Sequence, residues 1–251
     1  MARMQDRKTG KETKVENSTK TPTETTGQRA SISSLLIASG VVAILMFALT
    51  GWAWLQLPGD ASIPVHWGIN GQPDRYGGKW EGLLLMPLIF VGITALFAVI
   101  PRIDPRRGNI LNSQGAYQVV WWVMLLFFAG LHVTLILNIL GYNVSVGRFV
   151  PVGIGLMFLV IGRYMGRIRS NFLFGIRTPW TLTSELSWQK THRLGGRLFL
   201  LLGALLMAAG LFPLSQFWFG LLMGGVLLMV AGLFVYSYRV WKEDPNASRQ
   251  D

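Results

Sequence analysis

Residues 32–55 read ISSLLIASGVVAILMFALTGWAWL, an uncharged run that ends beside two tryptophans. A helix of this length, rising 1.5 Å per residue, crosses the roughly 30 Å hydrocarbon core of a bilayer. Tryptophan is enriched where such a helix meets the membrane–water interface. The stretch therefore predicts a membrane-spanning helix with Trp52 and Trp54 as anchors at its far end. It is too long for the core of a signal peptide, so we expect the helix to be retained.

The rest of the chain repeats this pattern. Only 14% of the residues are charged, whereas a soluble domain carries about a quarter, and long stretches hold no charge at all. The sequence predicts an all-α polytopic membrane protein with six transmembrane helices. Beyond the first, these spans are predicted at residues 83–100, 117–140, 147–166, 196–212 and 216–238.

The basic residues predict an orientation. The chain has 23 Lys and Arg, and all but Arg75, Lys79 and Arg148 fall in the N-terminal arm, the second and fourth loops and the C-terminal tail. Cytoplasmic loops of membrane proteins carry this excess. We therefore expect both termini to be cytoplasmic and the protein to lie in the cell membrane. The net charge of +11 reflects this topology, so we predict no direct contact with nucleic acid.

Composition divides the chain into four parts. The N-terminal arm is rich in Lys, Thr, Glu and Gln without apolar periodicity, which predicts disorder. A two-helix unit with an outer-loop module precedes a four-helix region with a long inner loop. The predicted bounds are 1–30 for the arm, 31–117 for the two-helix unit with its module at 57–82, 118–238 for the four-helix region with its loop at 163–197, and 239–251 for a cytoplasmic tail.

The outer loop, LPGDASIPVHWGINGQPDRYGGKW (57–80), is rich in proline and glycine. Its Asn70-Gly71 pair is a strong signal for a tight turn, so a small β-hairpin is expected here. His66, Asn70 and Asp74 either converge on a ligand or satisfy one another within the loop. One histidine with one carboxylate falls short of the three or four protein ligands of a zinc site. We therefore predict no metal and no cofactor.

The inner loop is expected to be irregular first and helical later. Gly175 and Pro179 interrupt residues 171–180, and the residue before a proline prefers an extended backbone. Thr181 or Thr183 is predicted to cap a short helix, without a strict capping box. Gly195-Gly196 is then expected to let the chain turn into the fifth span.

On that short helix Glu185, Trp188, Gln189 and His192 share one face. One interpretation is an interfacial helix, with Trp188 among the lipid headgroups and with His192, Lys190 and Arg193 at lipid phosphates. The other is an ion-paired network of Arg177, Glu185 and His192 that fixes the loop. A catalytic Glu185–His192 pair lacks an accompanying nucleophile motif, so we predict that the protein is not an enzyme.

The inner loop carries Asn171, then Gly-Ile-Arg-Thr-Pro-Trp-Thr-Leu at 175–182, a Glu, a Trp, Thr-His-Arg and a Gly-Gly pair. This pattern resembles the signature of the SdpI-type family of membrane proteins. In the outer loop, Ile63, Pro64, His66, Gly71, Pro73, Asp74 and Lys79 resemble a short domain that often precedes SdpI-type regions. The resemblance implies an immunity protein that protects its producer against a secreted peptide toxin. It also implies a receptor that retains a transcriptional repressor at the membrane.

The resemblance supplies two sets of candidate site residues. The outer-loop ligand candidates are Pro64, His66, Asn70, Asp74 and Lys79. The inner-loop candidates for signature or partner-binding roles are Asn171, Gly175, Arg177, Thr178, Pro179, Trp180, Thr181, Glu185, Trp188, His192, Arg193 and Gly196.

The function expected from these features is that of a binding protein in the bilayer, with a toxin peptide outside and a repressor or other protein inside. A small-solute transporter or channel and an assembly or structural subunit are the alternatives. All 12 carboxylates lie outside the predicted spans, which argues against ion coupling, and His132 is expected to be buried and hydrogen-bonded. The small-residue pairs Gly162/Gly166 and Gly220/Gly224 predict packing within one bundle, with a homo-oligomer as the alternative.

Overall fold

A computed structural model describes residues 22–212 and 216–247. This part of the chain forms a helical bundle with one two-stranded sheet between its first two long helices. A π-helical turn, Trp80–Leu84, leads into α2. The elements are α1 (Pro22–Gln56), β1 (Ile63–Trp67), β2 (Pro73–Gly77), α2 (Leu85–Ile103), α3 (Arg107–Asn112), α4 (Gln114–Ile139), α5 (Val146–Met165), α6 (Pro179–Thr183), α7 (Glu185–Leu211) and α8 (Gln216–Glu243).

Six helical stretches of the described chain are long and apolar enough to cross a membrane, which confirms the predicted all-α polytopic fold. They are Ile32–Gln56, Trp80–Ile103, Gln114–Ile139, Val146–Met165, Glu185–Leu211 and Leu222–Glu243. We call the end of the bundle that holds the β strands the hairpin face. The opposite end, with α3, α6 and the end of α8, is the basic face.

The N-terminal arm is shorter than we predicted. Helix α1 begins at Pro22, so the expected disorder of residues 22–30 is wrong, whereas residues 1–21 lie outside the described part. Proline is tolerated in the first turn of a helix, and adding turns to an existing helix costs little compared with starting one. At the other end, α8 continues to Glu243, five residues past the predicted end of the sixth span at 238.

The Gly195-Gly196 pair does not turn the chain. Helix α7 is continuous from Glu185 to Leu211, so the predicted separate short helix and turn are wrong. Both glycines are buried, and a Cβ on Gly195 would lie 2.4 Å from the Ile176 side chain. The pair therefore serves close packing, which a sequence cannot distinguish from a turn.

The first four spans are joined through α4. Trp121 of α4 donates its indole N–H to Ser39 of α1 at 3.1 Å. His132 of α4 is 1% exposed, and its Nε2 lies 3.1 Å from the Met46 carbonyl and 3.2 Å from the Thr50 hydroxyl. This confirms the expectation of a buried, hydrogen-bonded His132. Such contacts between spans hold helices together where both helix and lipid are apolar.

Helices α5 and α7 pack through glycines. A Cβ on Gly162 would meet the Gly196 carbonyl at 2.7 Å, and one on Gly155 would meet the Gly203 carbonyl at 2.7 Å. The reverse contacts, from Gly196 and Gly203, are equally close. Each helix thus presents glycines seven residues apart, and the two antiparallel backbones touch without side chains between them. This spacing of seven, and not the predicted Gly162/Gly166 spacing of four, brings the helices together.

The second predicted small-residue pair, Gly220/Gly224, does not pack within the described bundle. No atom lies within 4 Å of a Cβ built on Gly220 or on Gly224, so neither contributes to packing in the described bundle. Gly166 is exposed, and its nearest neighbour is the Arg193 side chain at 3.5 Å. The prediction of packing within the bundle therefore holds for Gly162 alone among these four.

We expect Gly162→Leu to destabilise the bundle, because its side chain would occupy the space of the Gly196 backbone. Overpacking typically costs about 1–3 kcal/mol. Gly92→Leu is the control, since no atom lies within 4 Å of a Cβ at Gly92 and leucine favours the helix by about 1 kcal/mol. The measurement is the thermal unfolding midpoint in detergent. Equal midpoints for the two variants would contradict close glycine packing.

Candidate functional site

The hairpin confirms the expected fold of the outer loop. Strands β1 and β2 pair antiparallel, and the register shifts on either side of the His66–Arg75 pair. Gly71, in the turn, has φ +74°, a conformation that favours glycine. Pro64 pairs with Tyr76, in a strand whose outer edge forms no further ladder.

The polar residues of the hairpin satisfy one another. His66 Nδ1 lies 2.5 Å from Asp74 Oδ1, and both side chains are more than half exposed. Asn70 Oδ1 accepts the Gln72 backbone N–H at 3.1 Å. Among the described residues no three His, Cys, Asp or Glu side chains lie close enough to hold a metal ion. The geometry therefore agrees with the self-satisfied interpretation of this loop.

Lys79 fastens the hairpin to the end of α1. Its ammonium group donates to the carbonyl oxygens of Trp54 at 2.8 Å and Leu57 at 2.5 Å, and it lies 5.4 Å from the centre of the Trp54 ring. These carbonyls have no partner further along the helix, and a cation is favourable beside the negative end of the helix dipole. Of the outer-loop candidates, Lys79 thus has a clear anchoring contact.

The hairpin also contacts the second half of the bundle. A Cβ on Gly147, in the first turn of α5, would lie 2.8 Å from the Gly71 Cα atom. Two glycines therefore let the turn of the hairpin and the start of α5 meet backbone to backbone. The outer-loop module is in this way fixed to α1 at one side and to α5 at the other.

At the basic face, a buried carboxylate organises the loop that follows α5. Asp104 is 2% exposed, and its Oδ2 accepts the backbone N–H groups of Phe172 and Leu173, both at 2.9 Å. Its Oδ1 accepts the N–H of Arg106 at 2.7 Å. A carboxylate that accepts several backbone N–H groups forms strong, charge-assisted bonds. Asp104, from the first pair of spans, thus holds the 166–178 loop of the second half.

Three neighbours of Asp104 extend this junction. The Arg106 guanidinium donates to Ser170 Oγ and to the Leu182 carbonyl, and it stacks over the Phe172 ring at 4.7 Å. Asn109 donates to the Ser170 carbonyl at 2.7 Å. Ser113 accepts the Arg169 N–H at 2.8 Å. The loop is therefore bonded to α3 and to the segments on either side of it.

Asn171 shapes the loop from within. It is fully buried, and its side-chain oxygen accepts the N–H groups of Leu173 at 3.1 Å and Phe174 at 2.6 Å. Its amide donates to the Arg169 carbonyl at 2.9 Å. These bonds replace the ladder that a helix or strand would supply, so the loop needs no regular structure.

Trp188 and His192 of α7 hold the other side of the loop. Trp188 donates its indole N–H to the Ile168 carbonyl at 2.7 Å, and its ring stacks on His192 with centres 4.0 Å apart. His192 Nε2 accepts the Ile176 N–H at 2.9 Å, so the proton sits on Nδ1, which donates to the Trp188 carbonyl at 2.8 Å. His192 is therefore neutral in this arrangement.

Gly175 makes the His192 contact possible. Its φ is +112°, which favours glycine, and a Cβ there would lie 2.5 Å from His192 Nε2. Any other residue at this position would be strained and would push the imidazole away from the Ile176 N–H.

Neither interpretation holds for Trp188 and His192 of α7, whereas the contacts of Lys190 and Arg193 with lipid phosphates stay a prediction. Trp188 and His192 are fully buried, whereas Glu185 and Gln189 are exposed and bond to each other at 3.3 Å. The residues do share a side of the helix, but its buried edge faces the loop and not the lipid headgroups. Arg177 donates to the Phe172 carbonyl at 2.8 Å, so no Arg177–Glu185–His192 network forms.

The helix caps also differ from the prediction. Thr178 caps α6, and together with Thr181 it forms a capping box, which we did not expect. Ser184 caps α7 through the Ser187 N–H at 2.9 Å. Pro179 follows Thr178 at the first helical position, where proline fits best, so a separate short helix begins before the predicted caps, and the helix that carries Glu185 is capped one residue after Thr183.

The caps connect to α8. Thr178 donates to Ser237 at 3.0 Å, Ser187 donates to the Ser237 carbonyl at 2.8 Å, and Ser184 donates to Asp244 at 2.5 Å. Trp180 meets Phe234 edge to face, with ring centres 4.6 Å apart. The signature segment thus joins α5, α7 and α8 at the basic face.

Among the remaining inner-loop candidates, Gly196 is buried against Gly162, while Arg193 points outwards. Arg193 is one of several exposed cations around the signature segment. The others are Arg102, Arg107, Arg163, Arg167, Arg169, Arg177, Lys190, Arg197, Arg239 and Lys242.

Sequence reasoning missed the residues that connect separate segments. Asp104 was available as a signal, since it is the one carboxylate in the basic loop between α2 and α4. Ser113, Ser170 and Ser237 carried no signal, because a serine in an apolar chain has no pattern that predicts its partner.

These features define a polytopic helical membrane protein whose two halves are joined at both faces. The model of the SdpI/YfhL protein family matches residues 167–237, in agreement with the resemblance that the signature segment carries. A second model, for a domain of unknown function (DUF1648), matches residues 41–91, which include the hairpin.

Two curated proteins illustrate the similarity. The chain is 23% identical over 176 residues to the immunity protein SdpI of Bacillus subtilis, covering 70% of this chain and 81% of that protein. It is 31% identical over 78 residues to an uncharacterized protein of Archaeoglobus fulgidus, covering 31% of this chain and 39% of that protein. No solved structure matches the chain.

We expect Asp104→Ala to loosen the 166–178 loop, because three backbone N–H groups lose their acceptor. Each unsatisfied buried group costs about 1–3 kcal/mol. Trypsin should therefore cleave after Arg169 at least about tenfold faster. Asp60→Ala, in an exposed part of the outer loop, is the control. Unchanged cleavage in Asp104→Ala would contradict the role of the carboxylate.

We expect Lys79→Met to free the hairpin from α1, because the variant keeps the apolar stem and removes two bonds to helix carbonyls. Amide hydrogen exchange in β1 and β2 should accelerate about tenfold, which corresponds to a loss of about 1.4 kcal/mol. Arg75→Met is the control, since its exposed ion pair with Glu81 contributes little. Equal acceleration in both variants would argue against Lys79 as the anchor.

Proposed function

We propose that this protein confers resistance to a membrane-active peptide, which it binds at its hairpin face. The supporting observation is an aromatic surface where the hairpin meets the π-helical turn and the end of α1. Trp80 is 74% exposed and Tyr76 is 55% exposed, and the Trp80 ring meets the half-buried Trp54 at 5.1 Å. Aromatic side chains of this kind supply much of the binding energy in protein interfaces.

The position of this surface suits a peptide that partitions into a membrane. Trp80 begins the second span and Trp54 lies near the end of the first, so both sit where a bilayer meets water. A membrane-bound amphipathic peptide lies in the same layer, with its apolar side towards the acyl chains. Binding at the hairpin face would therefore meet the peptide before it forms a defect in the bilayer.

Similarity to a curated immunity protein supports the same function. The match extends over 176 residues, which are 70% of this chain and 81% of that protein. The polar contacts of the spans favour a binding protein over an ion-coupled transporter. His132, for example, is bonded to Met46 and Thr50 inside the bundle and so is occupied in holding helices together. Ion-coupled transport would instead use an ionisable side chain along a pathway.

In this proposal the basic face is cytoplasmic and reports peptide binding to a protein partner, for example a repressor. The contact between Gly71 and Gly147 ties the hairpin to the first turn of α5, and the 166–178 loop follows the last turn of α5 directly. A displacement of the hairpin could therefore be transmitted through α5 to the 166–178 loop. The exposed cations of the basic face would attract an acidic partner.

The test is a challenge of cells with and without the gene by a panel of membrane-active peptides. We expect deletion to sensitise cells to at least one peptide, and Trp80→Ala with Tyr76→Ala to reproduce most of this loss. Trp122→Ala, which removes an exposed aromatic residue from the lipid-facing side of α4, is the matched control. Protein levels in membranes are measured for each variant.

Unchanged sensitivity of the deletion strain across the panel would refute peptide resistance. Full protection by the hairpin variant, at normal levels, would refute binding at the hairpin face while leaving resistance intact. Arg177→Ala and Glu185→Ala test the reporting role separately from peptide binding. For each variant, both peptide resistance and the localisation of the repressor are measured. Loss of localisation with normal protection supports a reporting role for the signature segment.

A further inference from the structure

A groove lies between α7 and α8 on the outer side of the bundle. It has a volume of about 770 Å³ and an almost entirely apolar lining. Leu194 and Leu198 line it from α7, and Gly225 and Gly232 form part of its α8 side. No neighbouring atom of the described chain lies within 4 Å of a Cβ built on either glycine, so the described residues leave this space unfilled.

The end of the groove at the basic face is positively charged. Arg239 lines this end of the groove from α8. Lys190 precedes Leu194 by four residues, so both side chains lie on the same side of α7. The bond from Ser187 to the Ser237 carbonyl sets the register of the two antiparallel helices, and it places Lys190 about 7.5 Å from Arg239 along the helix axes, roughly one and a half turns.

These two cations have no anionic partner among the described residues. Both are exposed, and neither forms an ion pair there. Glu243, four residues beyond Arg239, forms no ion pair with it. Arg239 lies four residues before the end of α8 at Glu243 and directly follows the predicted end of the sixth span at residue 238, so we expect its long side chain to reach the headgroup region.

We propose that this groove binds an anionic phospholipid from the leaflet at the basic face. One acyl chain lies along Leu194, Leu198 and the two glycines, and the phosphate group is held by Lys190 and Arg239. Basic side chains above an apolar cleft between spans have the charge and shape that such lipids require. The phospholipid completes the contact between α7 and α8, which the protein side chains leave open.

Charge favours a lipid over a second copy of the chain. A symmetric dimer through this groove would place the same patch of both copies around a two-fold axis. Arg239 and Lys190 of each copy would then lie near the same two cations of the other copy, and like charges repel. A phosphate group neutralises the same cations.

The experiment uses the full chain, delipidated in detergent and mixed with equal amounts of phosphatidylglycerol and phosphatidylcholine that carry the same acyl chains. Native mass spectrometry counts the lipids retained. We expect one phosphatidylglycerol to remain with a preference of about tenfold or more, because two cations contact its charged headgroup. Equal retention of the two lipids would overturn the proposal.

Two variants locate the site. Lys190→Gln with Arg239→Gln should abolish the headgroup preference, and Gly232→Leu should reduce retention of the lipid by filling the groove. Arg163→Gln, which removes an exposed cation at the basic end of α5, should keep the preference. Thermal unfolding midpoints identify any variant that fails to fold. The Lys190→Gln, Arg239→Gln variant changes the charge but not the shape of the groove, so it tests the site even if Gly232→Leu is unstable.

Retention that is unchanged in both groove variants, or lost equally in Arg163→Gln, would refute this site. A wild-type dimer that Gly232→Leu converts to a monomer, without change in bound lipid, would show that the groove is an interface between copies and would equally refute the proposal.

Discussion

The hydrogen bonds of the buried Asp104 carboxylate are the interaction that fixes the second half of this protein to the first at the basic face. Asp104 belongs to the segment after the second span, yet it accepts two N–H groups from the loop that follows the fourth span. Burying a carboxylate is costly unless hydrogen bonds replace its water, and here three backbone N–H groups do so. The 166–178 loop therefore takes its shape from a residue that lies more than sixty positions earlier in the chain.

The signature segment acts mainly as a structural junction. Asn171, Trp188 and His192 have no exposed surface, and their polar atoms are bonded to backbone groups of the same loop or of α7. Such residues position the exposed cations around them. A partner at the basic face would thus contact Arg177 or Arg193, while the buried part of the signature keeps these side chains in place.

The sequence predicted the class of fold, because each span is an uninterrupted apolar run and the hairpin has a turn signal at Asn70-Gly71. It could not predict which helices touch. The α5–α7 contact depends on glycines at 155, 162, 196 and 203, and glycine in a membrane helix is equally compatible with a bend, a turn or an open face. Gly195-Gly196 was misinterpreted for this reason. The partners of Asp104 and Ser237 lie far away in sequence, where no periodicity links them.

The glycine contacts have a consequence for how the protein enters the membrane. Glycine is less hydrophobic than leucine or valine and weakens an isolated helix, so α5 and α7 are poorer candidates for independent insertion than α1 and α2. What stabilises them is the mutual fit of their backbones, which is available only when both are present. Neither α5 nor α7 can therefore gain this stabilisation before its partner is in the membrane.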